Sequence, residues 1–209
     1  MGAAEADARR ARVEVRSRAE WRAWLLAHHA QAESVWLVGW KKGRGPYVPY
    51  GELRDEALCL GWVDSRPAKL DADRSMLLMS PRKRGSGWSA VNKARVAALE
   101  AAGLMHAAGL AKMDAAKRDG SWSKLDAVDA LTVPDDLATA LDAHPPAAER
   151  LAAFPPSVRR GILEWIAQAK RAKTRAMRVE ETARLAAENV RANWAGRKRS
   201  GGGGGDRQA

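Results

Sequence analysis

A single cysteine, Cys59, in 209 residues excludes an intramolecular disulfide and any cysteine metal cluster. It lies in the apolar helical run Ala57-Leu58-Cys59-Leu60, where a thiol packs as a small hydrophobe. Phenylalanine and tyrosine are scarce as well, at one and two residues. No run approaches the roughly 18–20 apolar residues that span a bilayer, so no membrane span is expected. The opening MGAAEADARRARVEV contains acids and no continuous apolar segment. It does not read as a secretory signal, and the expected location is the cytoplasm. A phosphate-cradling G-x-x-x-x-G-K-S/T motif is missing, as are helix-turn-helix, zinc-finger and RNA-recognition signatures. No cofactor and no metal are expected.

What the chain has is positive charge, tryptophan and enough apolar residues for a core. There are 36 Lys and Arg against 25 Asp and Glu, a formal charge of +11, which suits anionic partners. Hydrophobic residues make up 46% and charged residues 29%, a composition that folds. Nine Trp is unusual. Each buries a large area but carries an indole N–H that wants an acceptor, so Trp walls grooves as well as cores.

Periodicity divides the chain. Arg12 to Arg16 alternates charged and apolar positions and predicts a short edge strand. Ser17-Arg18-Ala19-Glu20 is a capping box opening a helix with Trp21, Trp24, Leu25 and His28 on one stripe. A lone His on such a stripe is a hydrogen-bonded packing residue, and His29 points elsewhere. Ser34 to Lys42 reads as a strand, with Gly43 and Gly45 turning after it. A helix over about Gly51–Leu60 turns Leu53, Ala57 and Leu60 inward and ends at Gly61. Trp62–Leu70 and Ser75–Ser80 then read as strands joined by the turn Asp71-Ala72-Asp73-Arg74.

From Ser89 onward the pattern is helical. Ala94, Ala97, Ala98 and Ala101 form a small-residue stripe; Leu104, Ala107, Ala108 and Ala111 begin a second helix, broken at Gly120-Ser121-Trp122-Ser123. Val133-Pro134-Asp135-Asp136-Leu137 starts another, with acids complementing its dipole. Pro145-Pro146 and Pro155-Pro156 bound a short helix. Ser157 is the expected cap of one whose inner stripe is Val158, Ile162, Trp165, Ile166 and Ala169. The last runs roughly from Val179 to Trp194. The expected fold class is α+β: a small antiparallel sheet of three or four strands with N-terminal helices, followed by a helical C-terminal region. The expected division is a disordered N-terminus (1–11), an α+β domain (12–118), a helical region (119–196) and a disordered, Gly-rich basic tail (197–209).

Candidate binding residues concentrate between Tyr50 and Asn92, at element ends where backbone is free. Trp62, Asp64 and Arg66 fall on one strand face by alternation, and a carboxylate and guanidinium so placed pair or grip a polar ligand. Asp71 stands in the turn. Arg82-Lys83-Arg84-Gly85-Ser86-Gly87 is a flexible basic loop opening onto a helix, with Ser86 and Ser89 as candidate N-caps. Free N–H groups, a positive helix end and three cations make an anion site there. A discrete pocket lined by Trp62, Asp64, Arg66, Arg82, Trp88 and Asn92 is expected. A second basic run, Lys170 to Arg178, puts Lys170, Thr174 and Arg178 on one helix face with Arg175 beside them; the sequence leaves open whether it joins the first.

Three functions of different class follow. One is a non-enzymatic binding or stress-protection protein that holds an anionic small molecule or protein partner. Another is a nucleic-acid binder using Arg82–Arg84, Lys93, Arg95 and Lys170–Arg178 as one basic surface, with Trp stacking bases. The last is an enzyme with Asp64 or Asp71 as general base and Arg82 as electrostatic stabiliser. No complete catalytic constellation is legible, which favours the first.

Several motifs resemble one family. VWLVGWKKG is followed by Y-x-E-L-x-x-E-A-L-C-L-G-W-V-D-S, K-L-D and S-P-R-K-x-x-S-x-W-S-x-x-N. Further on come G-L-M, V-P-x-D-L at Val133–Leu137 and A-K-R-x-x-T-R-x-x-R at Ala169–Arg178. Together, over about Ser17 to Asn189, they resemble the bacterial YdeI/OmpD-associated, or bacteriocin-protection, proteins. The resemblance implies protection against bacteriocins or cationic antimicrobial peptides and association with an outer-membrane porin. Where that family usually carries an acid before Thr-Arg, this chain has Lys173.

Overall fold

Strands β1 (Arg12–Glu14), β2 (Val35–Trp40), β3 (Trp62–Lys69) and β4 (Arg74–Pro81) form one sheet in the order β1-β2-β4-β3. The structure is a computed structural model that describes residue 7 and residues 9–193. The disorder expected for 1–6, 8 and 197–209, and Trp194 of the last expected helix, lie outside the described residues. β3 and β4 are an antiparallel hairpin and β4 is antiparallel to β2. β1 runs parallel to β2, so the sheet is mixed rather than purely antiparallel. The cause is helix α1 (Arg18–His28), which carries the chain back across the sheet between them. The α+β class holds.

One sheet face is packed and its register is explicit. Leu37 lies opposite Leu77 and Val35 opposite Met79, and this face meets α1 and α2 (Tyr50–Cys59). Trp21 and Leu25 of α1 are fully buried, with Leu58, Cys59 and Leu60 from the end of α2. The indoles find backbone acceptors: Trp21 Nε1 donates to Leu53 O (2.9 Å) and Trp62 Nε1 to His29 O (3.2 Å). Ser17 Oγ accepts from Glu20 N at 3.1 Å, while Glu20 reaches past Ser17 to accept from Arg16 N at 2.8 Å. The capping box is therefore shifted by one residue on its return arm.

Between Asp64 and Pro67 the β3–β4 register slips. Three steps along β3 there match two along β4, which flips every later side chain to the opposite face. Trp62 and Asp64 stay on the packed face, whereas Arg66 lands on the other, its guanidinium 5.1 Å from the Trp36 ring. The shared face expected for Trp62, Asp64 and Arg66 is corrected by this bulge.

Helices α3 (Ala90–Ala101) and α4 (Ala107–Arg118) follow. They bury larger side chains than the alanine stripes suggested. Val96 and Leu99 face inward from α3 and Gly109, Met113 and Ala116 from α4, while Ala94, Ala97, Ala98, Ala101 and Ala107 are exposed. Alanine stabilises a helix anywhere on it, so a stripe of alanines marks helix and not its buried side. Gly109 permits the close crossing of α4 over the end of α2: a Cβ there would stand 2.2 Å from Cys59 O.

The chain divides into two compact units, residues 1–126 and 127–209. A short helix α5 (Asp126–Asp129) spans the division. The second unit holds α6 (Asp135–Asp142), α7 (Ala147–Ala153), α8 (Pro156–Ala167) and α9 (Ala172–Ala187). Its core is Leu137, Leu141, Leu151, Ile162, Ile166, Val179 and Ala183. α8 begins from Pro155 without a side-chain cap, so Ser157 is not its cap. α9 starts seven residues earlier than expected and stops at Ala187, beyond which Asn189 is left-handed (φ 57°). No helix among the described residues is long and apolar enough to cross a membrane.

Candidate functional site

Among the described residues of the first unit, three charged ones are nearly withdrawn from solvent: Asp55, Glu56 and Arg82. A buried charge is costly unless paired. Glu56, on α2, is paired twice, by Arg18 Nε at 2.5 Å and Arg22 Nη1 at 2.6 Å. Asp55 takes a two-pronged contact from Arg95, its Oδ1 accepting from Nε at 2.6 Å and its Oδ2 from Nη2. The carboxylates raise the pKa values of Arg18, Arg22 and Arg95, chiefly through these hydrogen bonds. Burial pushes the neighbouring Cys59 thiol up, which keeps it an inert packing group.

Arg82 is different. It leaves the end of β4, where its own N–H donates to Gly61 O (2.9 Å), and only 4% of it is exposed. Its guanidinium lies 3.7 Å from the centre of the Trp88 ring, and Nη1 donates to Gly87 O at 3.2 Å. Among the described residues no carboxylate comes within ion-pair distance, and the buried Nε has no partner. Burial lowers its pKa to about 10, with Asp64 opposing, so at neutral pH the group is charged and under-paired.

A cleft of about 120 Å³ opens beside it. The loop Arg82–Ser86 and Trp88 form one wall; Lys112, Ala115 and Ala116 of α4, with Asp119 and Ser121 just beyond it, form the other. Gly85 is left-handed at φ 74°, which lets the loop fold back on itself, with Ser86 N donating to Lys83 O at 3.2 Å. Gly87 backs onto Leu125, whose Cγ stands 2.8 Å from where a Cβ would be. Asp119 ties the far wall together. Its Oδ1 accepts from Ser121 N (3.0 Å) and Ser121 Oγ (2.6 Å), and Arg84 Nε stands 3.7 Å from Oδ2. Those hydrogen bonds, Ser121's first, hold the Asp119 carboxyl below the usual carboxylate range. Lys83 and Lys112 are exposed at the rim.

The expected site residues therefore separate. Arg82, Lys83, Arg84, Ser86 and Trp88 line one cleft. Ser89 caps α3, its Oγ accepting from Asn92 N at 3.3 Å, whereas Ser86 is a turn residue. Trp62 is core. Asp64 accepts from Tyr50 Oη at 2.8 Å. Asp71 is consumed by its own turn: it accepts from Asp73 N (3.0 Å), Arg74 N (2.7 Å) and Arg74 Nε (2.9 Å), which lowers its pKa. In the second unit Arg175 grips Asp136 with two bonds of 2.6 and 2.8 Å. Arg178 lies over the Trp165 ring and donates to Trp165 O, Thr174 is half-buried, and Lys170 precedes the helix, exposed. Lys112, Asp119 and Ser121 escaped sequence reasoning. Asp119-Gly120-Ser121 is the signature of an Asx turn and was legible as a turn, but not as a wall of this cleft.

Residues 130–189 match the family described as bacteriocin-protection, YdeI or OmpD-associated. Residues 13–112 match a domain of unknown function, DUF8412. The resemblance carried by the motifs is thus supported over residues 130–189, and two of those motifs meet there: Asp136 of V-P-x-D-L is the carboxylate that Arg175 of T-R holds. The Arg82 loop lies inside the domain of unknown function. No curated protein and no solved structure matches the chain.

Proposed function

We propose that this chain is a non-enzymatic binding protein whose first unit captures a small anion in the cleft between the Arg82–Ser86 loop and α4. The observation that carries the proposal is Arg82: a residue lining the cleft whose buried, charged guanidinium has an unpartnered Nε. An anion entering there gains charge-assisted hydrogen bonds and relieves a charge already desolvated by the fold. Lys83, Arg84 and Lys112 add positive potential at the entrance, and the +11 net charge steers anions toward it. That same charge repels cationic peptides. Any protective role of the kind the family description names would then work through an anionic ligand or partner and not by sequestering the peptide.

The alternatives rest in part on residues that the fold has already engaged. Asp71, held ionised by its turn, is a weak base, and Asp64 is hydrogen-bonded to Tyr50. A nucleic-acid surface would need cations that have internal partners: Lys93 with Asp126, Arg95 with Asp55, Arg175 with Asp136. Trp62 and Trp88 are buried and unable to stack bases. Calorimetric titration with inorganic phosphate tests the proposal. Arg82→Met, similar in volume, should weaken binding about 10- to 100-fold, the worth of one or two charge-assisted hydrogen bonds. Equal affinity in wild type and variant would remove Arg82 from the site.

A further inference from the structure

The cleft contains one group that an unselective anion trap would not have. Asp119 is a carboxylate on the wall that faces Arg82, Lys83 and Arg84, and its side chain is only 19% exposed. Oδ1 accepts from the Ser121 N–H and hydroxyl, the Gly85 N–H also acts on the carboxylate, and Oδ2 stands 3.7 Å from Arg84 Nε, longer than a hydrogen bond, so the group retains acceptor capacity for a ligand. An ionised carboxylate only accepts. A fully ionised ligand pressed into about 120 Å³ beside it meets repulsion; a ligand that still carries an O–H donates to it. The volume takes one tetrahedral oxyanion and falls well short of the roughly 300 Å³ at which pockets for larger organic ligands begin.

Resting on the anion-binding reading, we propose that the Arg82 cleft is selective for a tetrahedral oxyanion that bears a proton, namely free hydrogen phosphate, and that Asp119 sets the selectivity by accepting that proton's hydrogen bond. Arg82 and the loop supply donors to the ionised oxygens; Asp119 supplies the one acceptor. Hydrogen phosphate keeps an O–H throughout the neutral range. Sulfate, of the same shape and charge, has none. A phosphomonoester, with its second pKa about 6, is mostly the proton-free dianion at pH 7.5. The two possible sources of a phosphoryl group, free phosphate and a phosphorylated molecule, are thereby distinguished by protonation rather than size.

The test is calorimetric titration of the full chain at pH 7.5 and fixed ionic strength with phosphate, arsenate, sulfate, molybdate and glycerol phosphate. Wild type should bind phosphate and arsenate at least about tenfold more tightly than the other three, since a lost hydrogen bond to a charged group is worth at least that factor. Asp119→Asn keeps an oxygen for Ser121 and replaces the second acceptor with a donor. It should raise sulfate affinity and bring the phosphate-to-sulfate ratio below about threefold. Should that variant fail to fold, the arsenate-against-molybdate ratio in wild type decides the matter without it. Sulfate binding as tightly as phosphate, with both weakened in Arg82→Met, overturns the selectivity and leaves the anion site standing. Absence of any anion binding to wild type overturns both.

Discussion

Two buried charges of opposite sign, Glu56 and Arg82, sit in the same unit, and the fold treats them in opposite ways. Glu56 emerges from the middle of α2 into the reach of two arginines spaced four residues apart on α1, Arg18 and Arg22. Nothing about it is left to a ligand. Arg82 receives an aromatic face, one carbonyl and a partnerless Nε. A fold that can place two cations on one carboxylate is not short of means to place a carboxylate on a cation. The difference separates a charge kept for architecture from a charge kept open for something outside the chain, and it makes stability the quantity on which the comparison can be broken.

The largest effect is expected at Glu56. Removing one member of a buried ion cluster typically costs about 3–5 kcal/mol. Arg18 and Arg22 are 41% and 35% exposed and can turn to water, so Glu56→Ala should cost somewhat less, about 2–3 kcal/mol, read from urea unfolding. A loss below about 1 kcal/mol would show that the cluster is not architectural. Arg82→Met should have the opposite sign. It keeps the volume against Trp88 and removes a desolvated charge that gains no compensating pair, so the ligand-free protein should be unchanged or more stable by about 1–2 kcal/mol. Anion binding should weaken about 10- to 100-fold in the same variant. A fall of 2 kcal/mol or more in the absence of anions would make Arg82 a structural residue like Glu56 and end the contrast.

Much of the fold was legible because it rests on local signals. The capping box at Ser17, the apolar strand after Ser34, the Asp71 turn and the proline-delimited helices each declare themselves within a few residues. What was not legible depends on partners far apart in sequence. The bulge between Asp64 and Pro67 carries no local mark beyond Pro67, yet it moves Arg66 to the other face and dissolves a three-residue ligand face. Alanine-rich α3 and α4 gave helices but not their buried sides, because a run with so many alanines has little amphipathic contrast. For the candidate site, the basic loop stood out as a loop of charge. Which of its three cations is buried, and that Asp119 and Lys112 face it from α4 and the turn beyond, depends on the close approaches at Gly61 and Gly109 and the left-handed turn at Gly85, which only a tertiary structure defines.

The smallest effect comes from the second unit and sharpens the contrast by removing burial. Asp136 and Arg175 have the same two-pronged geometry as Asp55 and Arg95, but both side chains are about two-fifths exposed, at 43% and 35%. Water already solvates both ions, so pairing should contribute at most about 1 kcal/mol. Asp136→Asn should therefore cost no more than about half of the Glu56 loss, and the cost should shrink in 1 M salt, where the screening length is about 3 Å. The pH dependence has a fixed sign. Arg175, through its hydrogen bonds first, holds the Asp136 carboxyl below the usual range in the folded state. A group so lowered gives its full contribution above the unfolded value of about 3.9 and loses it as pH falls through the lower folded value. The wild-type advantage over Asp136→Asn should accordingly be flat from pH 7 to about pH 5 and vanish on acidification below about pH 4. An advantage as large as that of Glu56, or one that survives both salt and acid, would show that two-pronged geometry rather than burial governs what a charge pair is worth in this protein. The inference drawn from Arg82, that a buried charge without a pair is waiting for one, would then lose its premise.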